Sequence, residues 1–436
     1  MSELLNLAEW GVKRALELGA DEAEVYVFTQ TVRGVYSEGI RLRAVVSDSR
    51  SVQVRAAKGL RVAAAVATSA SREVLEDAVR RAVEMAVKAE EDPHWRGLPD
   101  PEQPRHGWIG YDERVATVDV DWLAQLVKDA MAEAQRNPRL KVSSVGAGTA
   151  FGKRALANSR GVAVEEKSTF SQISIALKSG ESSGSSWISS RSLVHDYYPV
   201  LEEATRLAID SSKAEKLGET LKGAVLFRAR TLAMLLDALL VPALSAMNVL
   251  EDLSPLAGKL GRKVLGNLTI VDDGTLPGGL ATQFFDGEGV ARRRTALVER
   301  GVLKSYLHNT YTARRMGVES TGNASRGTGA VGISPSNLIV AGGECSEKDL
   351  EAEAKVVAEG YLLSVHTANP VTGNFSFVIS NPYLVKGGDS IPVKPLAVSG
   401  NIYEVVELIK PARRIKDTAM GVYAPDTLIG GLTVTG

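Results

Sequence analysis

Leu4, Leu5, Ala8, Val12, Ala15 and Leu16 recur at helical spacing behind Ser2, a competent N-cap, and Gly19 follows as a stop. This predicts a helix over 4–18. From Glu24 to Thr68 the texture turns β-rich, with strands expected at 25–28, 41–46, 52–56 and 60–66 and turn signals at Glu38-Gly39 and Lys58-Gly59. Such a run reads as an antiparallel meander. Ser71 then opens a second helix to about Ala89, and a Pro-rich connector runs from Pro93 to Pro104.

The same order returns further along. A helix over 120–135, strands over 140–151, a turn at Ser159-Arg160-Gly161, strands to Leu177, a turn at Lys178-Ser179-Gly180, more strand and a helix over 199–216 follow in turn. Gly161 and Gly180 repeat the spacing of Gly39 and Gly59 to within one residue. The pattern is that of a tandem repeat, about 1–100 and 119–218, within an N-terminal α+β domain of residues 1–222. A single α+β domain whose glycines coincide is the alternative.

Residues 223–436 form a second, mostly β domain with one strongly apolar helix. Leu232, Leu235, Leu236, Leu239, Leu240, Ala243, Leu244 and Met247 share one face, and the other holds little that is polar except Asp237 and Ser245. Such a helix is buried nearly all round. Pro242 lacks an N–H and crowds the preceding turn, so a bend or break is expected there at roughly 3 kcal/mol. Strands are expected at 268–271, 295–298, 302–307, 338–340, 361–365, 375–379, 383–385 and 396–398. The fold class is therefore α+β.

Composition narrows the function classes. The 436 residues carry a net charge of -1, with 44% hydrophobic and 24% charged side chains, ordinary values for a globular chain and poor ones for a nucleic-acid binder working through bulk basic charge. The N-terminus shows no basic leader or cleavage site, and every long apolar stretch is interrupted too soon for a membrane span. The single cysteine, Cys345, cannot form an internal disulfide. A cytoplasmic protein is expected.

Five histidines, at 94, 106, 195, 308 and 366, each stand alone, and none is spaced to put two imidazoles on one helix turn. A built-in zinc site is not expected. His195 beside Asp196 has no serine in a Gly-x-Ser-x-Gly turn to serve. Carboxylates cluster at Asp272-Asp273 and at Asp286-Gly287-Glu288-Gly289; acids spaced by one glycine can hold a hard cation or form an acid/base pair, although turn-forming Asp beside Gly is the commoner explanation. Arg292-Arg293-Arg294 reads as a solvated edge. Ser320-Thr-Gly-Asn-Ala324 and Val371-Thr-Gly-Asn-Phe-Ser376 each place small polar residues on a tight turn, where open backbone groups could pair with an extended peptide.

Taken in order, Gly258-Lys-Leu-Gly261, Ile270-Val-Asp-Asp-Gly-Thr-Leu-Pro277, Phe285-Asp-Gly-Glu-Gly289, the run from Leu297 to Gly317, both Thr-Gly-Asn turns, Ser399-Gly-Asn-Ile402 and Gly431-Leu-Thr-Val434 resemble the TldD/PmbA family, often labelled "modulator of DNA gyrase". The resemblance is specific over 258–434. It implies zinc peptidases of the TldD type, with HExxxH on a helix just upstream of an S-x-x-x-G segment and a cysteine near the C-terminus. Counting back without gaps from Ser254-Pro-Leu-Ala-Gly258, the six motif positions fall on Asp237-Ala-Leu-Leu-Val-Pro242. Ala238 stands at the acid/base position, Pro242 at the second ligand and Tyr423 near the expected thiolate, so the chain resembles the PmbA, or TldE, branch.

For that branch the resemblance implies a metal-free, non-catalytic partner of a zinc-bearing HExxxH paralogue in a cytosolic complex that cuts short or unfolded peptides. A homodimer in isolation remains open. Asp286, Glu288, Thr321, Asn323, Thr372, Asn374 and Phe375 are the candidates to face the peptide groove or the partner. The rival readings are a self-sufficient hydrolase centred near Asp286 and Glu288, and a regulator of DNA gyrase.

Overall fold

The computed structural model describes residues 2–39, 41–104, 110–327 and 330–436; His106 lies outside them. In the first half, α1 (Glu3–Glu17), β1 (Glu22–Glu38), β2 (Arg41–Lys58), β3 (Arg61–Ala67) and α2 (Arg72–Lys88) are followed by α3 (Glu113–Thr117), α4 (Val120–Gln135), β4 (Lys141–Asn158), β5 (Ala163–Ser179), β6 (Ser182–Ser190) and α5 (Tyr198–Ser212). The second half holds β7 (Thr220–Phe227), α6 (Ala229–Leu244), α7 (Ala246–Leu250), β8 (Ile270–Asp273), β9 (Arg294–Glu299), β10 (Val302–Leu303), α8 (Thr310–Met316), β11 (Ala324–Ser325), β12 (Gly332–Ile333), β13 (Leu338–Val340), α9 (Glu347–Glu353), β14 (Val356–Leu363), β15 (Asn374–Lys386), β16 (Asp389–Pro392), β17 (Leu396–Asn401), β18 (Ile409–Asp417) and β19 (Val422–Thr435). The fold is α+β.

Side-chain oxygens of Ser2, Ser71 and Asp119 accept from the first turns of α1, α2 and α4, which fixes those starts. The six N-terminal strands form one antiparallel sheet in the order β3-β2-β1-β4-β5-β6. Gly59 and Gly180 close the β2–β3 and β5–β6 hairpins at φ 59, a conformation that costs a residue with a Cβ about 1 kcal/mol or more. Strands β1, β2, β4 and β5 are longer than the expected segments, with β1 and β4 side by side so that each has a partner on both edges. Helices α1 and α2 cover the β1–β3 half, and α4 and α5 the β4–β6 half, over two separate apolar cores.

Tyr26, Leu156 and Val162, on the opposite face, pack on Phe285 of the second half. There β7 pairs with β14 on one side and β19 on the other, so β7-β14-β15-β17-β19 close into a ring. The expected strands at 375–379 and 383–385 are one strand, β15, while β7, β18 and β19 had no counterpart in the expected pattern. The expected strand over 302–307 shrinks to β10.

Helix α6 buries Leu232, Leu235, Leu236, Leu239, Leu240, Ala243 and Leu244 against this sheet. It does not break at Pro242. It runs on to Leu244 and ends at Ser245, where two carbonyls of the last turn find other donors: Asn248 Nδ2 reaches Pro242 O at 2.8 Å, and Ser254 Oγ reaches Ala243 O at 2.6 Å.

Candidate functional site

Asp426 of β19, fully buried, starts α6. It accepts from the Ala229 N–H at 2.9 Å and from Arg228 Nη1 at 3.0 Å, in place of a cap from Arg228 itself. With the Leu face turned into the core, the other face of α6 looks out on a cleft of about 510 Å³. Met234, Asp237 and Ala238 form one wall; Leu362, Val365, His366 and Ala368, from the end of β14 and the turn after it, form another, and Met420 closes the rim. The turn is set by Ser364, held at φ 63. The Leu362 N–H donates to Met234 Sδ at 3.3 Å, so the end of β14, paired with β15 through Leu362 and Ile379, is also tied to the helix.

Asp237 is exposed at the cleft and takes neither a hydrogen bond nor an ion pair among the described residues, and partial desolvation by the cleft walls raises its pKa. His366 stands in the same cleft, beyond the reach of sequence reasoning, because it lies 129 positions from Asp237 with the seven strands β8 to β14 between them. The donor set does not fit zinc: Ala238 and Pro242 carry no donor atoms, and among the described residues no group of three or more His, Cys, Asp or Glu side chains could hold a metal ion. Tyr423 lies outside the cleft lining, on β19 beside the Leu280 backbone and Arg191, its phenol pKa raised by burial.

The other candidates fall elsewhere. Asp286 and Glu288 are 0% and 1% exposed, at the junction of the two halves. Asp286 Oδ1 accepts from the Glu288 and Val290 N–H groups at 2.8 and 3.0 Å, and Oδ2 from Ala324 at 2.9 Å, which folds the 286–290 loop around it. Burial, with Glu288 nearby, pushes its pKa up to about 6 against the pull of Arg292. Glu288 is buried too, yet Arg55 at 2.8 Å and the Thr310 N–H at 2.8 Å hold its pKa below the usual range. Arg55 also pairs with Glu24, and Glu24 with Arg326, whose Nε donates to Gly287 O. Charges from both halves alternate in one interior chain.

Thr321 and Asn323 are interior as well. Thr321 Oγ1 accepts from the His308 N–H at 2.7 Å, and Asn323 Nδ2 donates to Asp272 Oδ2 at 2.8 Å and to Ser334 O. Burial drives the His308 pKa down to about 4. Where open backbone was expected, the Asn323 N–H donates to His308 O and the Ala324 N–H to Asp286 Oδ2, so these main-chain groups are used internally. Thr372 and Asn374 are exposed and Phe375 is core, but the second turn is also self-satisfied. Asn369 Oδ1 accepts from the Val371 and Thr372 N–H groups, and Asn369 O from Gly373. Neither turn offers a free main-chain row to a peptide.

Residues 113–212 match the PmbA/TldA metallopeptidase central domain, and residues 220–436 its C-terminal domain. An uncharacterized protein, MJ0231, of Methanocaldococcus jannaschii is 39% identical over 280 residues, which cover 63% of this chain and 65% of that protein. Metalloprotease MJ0996 of the same organism is 30% identical over 41% of this chain and 40% of its own length, and metalloprotease PmbA of Escherichia coli O157:H7 is 28% identical over 50% and 46%. The chain thus matches less than two thirds of the length of these curated relatives. TldE from Thermococcus kodakarensis has the same fold, with a TM-score of 0.89 over 99% of both chains at 23% identity. So does a Thermotoga maritima protein described as a modulator of a DNA gyrase, with a TM-score of 0.86 over 99% of both chains at 24% identity.

Proposed function

Because the chain belongs to the PmbA/TldD metallopeptidase family, we propose that it is the metal-free, non-catalytic partner subunit of a zinc-bearing HExxxH paralogue in a complex that cuts short or unfolded peptides. The observation that carries this reading is the outer face of α6. Where two imidazoles and a carboxylate base would be needed, it presents Asp237, Ala238 and Pro242, one donor in all. What remains is an apolar cleft with adaptable Met234 and Met420 at its edge, suited to apolar side chains and not to activating water.

The rival hydrolase centre at Asp286 and Glu288 is disfavoured by geometry. Both carboxylates are sealed from solvent and engaged by backbone N–H groups or Arg55, so no substrate bond can reach them. The test is to purify the chain with and without an HExxxH paralogue from the same genome, measure zinc per chain by elemental analysis, and digest unfolded peptides with each chain and with the pair. Zinc confined to the paralogue and cleavage only with the paralogue present are expected. About one zinc retained per molecule of this chain, or metal-dependent cleavage by it alone, would overturn the reading.

A further inference from the structure

Rows of side chains cross the N-terminal sheet in register. Lys167 of β5 faces Lys153 of β4, Lys153 faces Thr29 of β1, and Thr29 faces Arg50 of β2. Residues opposite one another on neighbouring strands share a face, so three cations and a hydroxyl make one row about 14 Å wide. All four line a groove of about 750 Å³ whose wall includes Leu4 and Leu7 of α1. Like charges set directly opposite destabilise a sheet, yet none of the three cations has an ion pair or a hydrogen bond among the described residues. Lys153 Nζ instead sits 5.4 Å from the centre of the Phe151 ring, and Lys167 Nζ 5.9 Å from that of Tyr111. The nearby carboxylates are engaged by other neighbours: Thr31 Oγ1 donates to Asp48, Ser2 Oγ to Glu165, and Arg154 pairs with Glu166. Of the acids that line the groove, Glu3 at the α1 wall is the one without a bond among the described residues.

We propose that this groove binds an extended acidic peptide segment laid across the strands. Acids at alternate positions of an extended chain stand about 7 Å apart on one side, so carboxylates at i, i+2 and i+4 span the width of the row. The outer two reach Lys167 and Arg50 and the middle one Lys153, while Thr29 supplies a hydroxyl between. A carboxylate seated by Lys153 and Lys167 offsets their repulsion, and Leu4 and Leu7 offer an apolar wall to the rest of the segment. A nucleic-acid strand is the poorer match, because its bases need open aromatic faces and each ring here already has an ammonium over it. The groove shares no residue with the α6 cleft, and its binding does not depend on the peptidase reading.

Fluorescence anisotropy of the full chain tests the assignment with labelled probes: a short peptide with glutamate at alternate positions, the same peptide with glutamine, and a single-stranded oligonucleotide. Saturable binding of the glutamate peptide, and not of the other two, is expected. Lys153→Gln combined with Lys167→Gln should weaken it about tenfold. Lys178→Gln, which removes a facing pair with Lys141 outside the groove, should leave it unchanged. Lys167→Glu separates binding from folding: it sets opposite charges across β4 and β5, so binding should be lost while the melting temperature holds or rises. Comparable binding of the glutamine peptide or the oligonucleotide, or an affinity for the glutamate peptide that survives the double substitution or Lys167→Glu, overturns the proposal.

Discussion

Arg55 on β2 and Glu288 on the loop before β9 meet at 2.8 Å across the junction of the two halves, with side chains 10% and 1% exposed. Neither charge could be buried there alone, since an unpaired buried charge costs several kcal/mol. Glu288→Ala leaves Arg55 with Glu24 as its one carboxylate and uncaps the Thr310 N–H. It should destabilise by about 3–5 kcal/mol in urea denaturation; Lys58→Ala, which breaks the exposed pair with Asp21, should stay within about 1 kcal/mol.

Two buried groups pull the pH dependence in opposite directions. The Asp286 pKa, raised to about 6, makes the protonated acid a stabilising form that is fully present below the unfolded value and lost as pH rises through 6. The His308 pKa, lowered to about 4, makes the neutral ring the stabilising form, present above the unfolded value and lost as pH falls through 4. Each is worth on the order of 3 kcal/mol, so their slopes oppose between pH 4 and 6. Denaturation across that range should show the stability gap between the natural chain and Asp286→Asn shrinking as pH rises. For His308→Gln the gap should grow. Gaps that stay constant with pH would place both titrations elsewhere.

Leu239 is fully buried against the C-terminal core, while Asp237, two residues earlier on the same helix, touches no partner. Leu239→Ala should cost roughly 2–5 kcal/mol. Asp237→Ala should fall within about 0.5 kcal/mol of the natural chain. Coincident thermal melts for Leu239→Ala would remove α6 from the core.

The two Thr-Gly-Asn turns should separate under the same substitution. Asn323→Ala removes a donor from buried Asp272 and should cost about 1–3 kcal/mol. The Asn374 side chain bonds Thr372 and Asn401 at the surface, so Asn374→Ala should change stability by about 0.5 kcal/mol or less. Equal losses by calorimetry would contradict the assignment of one turn to the interior and the other to the surface.

What the sequence determined by itself was local. Ser2, Ser71 and Asp119 announce helix starts through their own side chains, Gly59 and Gly180 announce hairpins through a backbone conformation open to them, and the leucine spacing of α6 announces a buried helix. Its absent ligands at Ala238 and Pro242 are equally a matter of residue type. Tertiary structure decided everything that depends on partners distant in the chain. Asp286 and Asn323 look like surface turn residues until Ala324 and Asp272 close over them. The 14-residue strand β19 carries Pro425 and a Gly430-Gly431 pair that weaken its local signal, and pairing with β7, some two hundred positions earlier, stabilises it all the same. Asp237 and His366 come to one cleft only because β14 ends beside α6. Local propensity is set within a few residues, whereas burial and pairing follow from which segments the closed ring and the joined sheets bring together, and a linear pattern does not encode that choice.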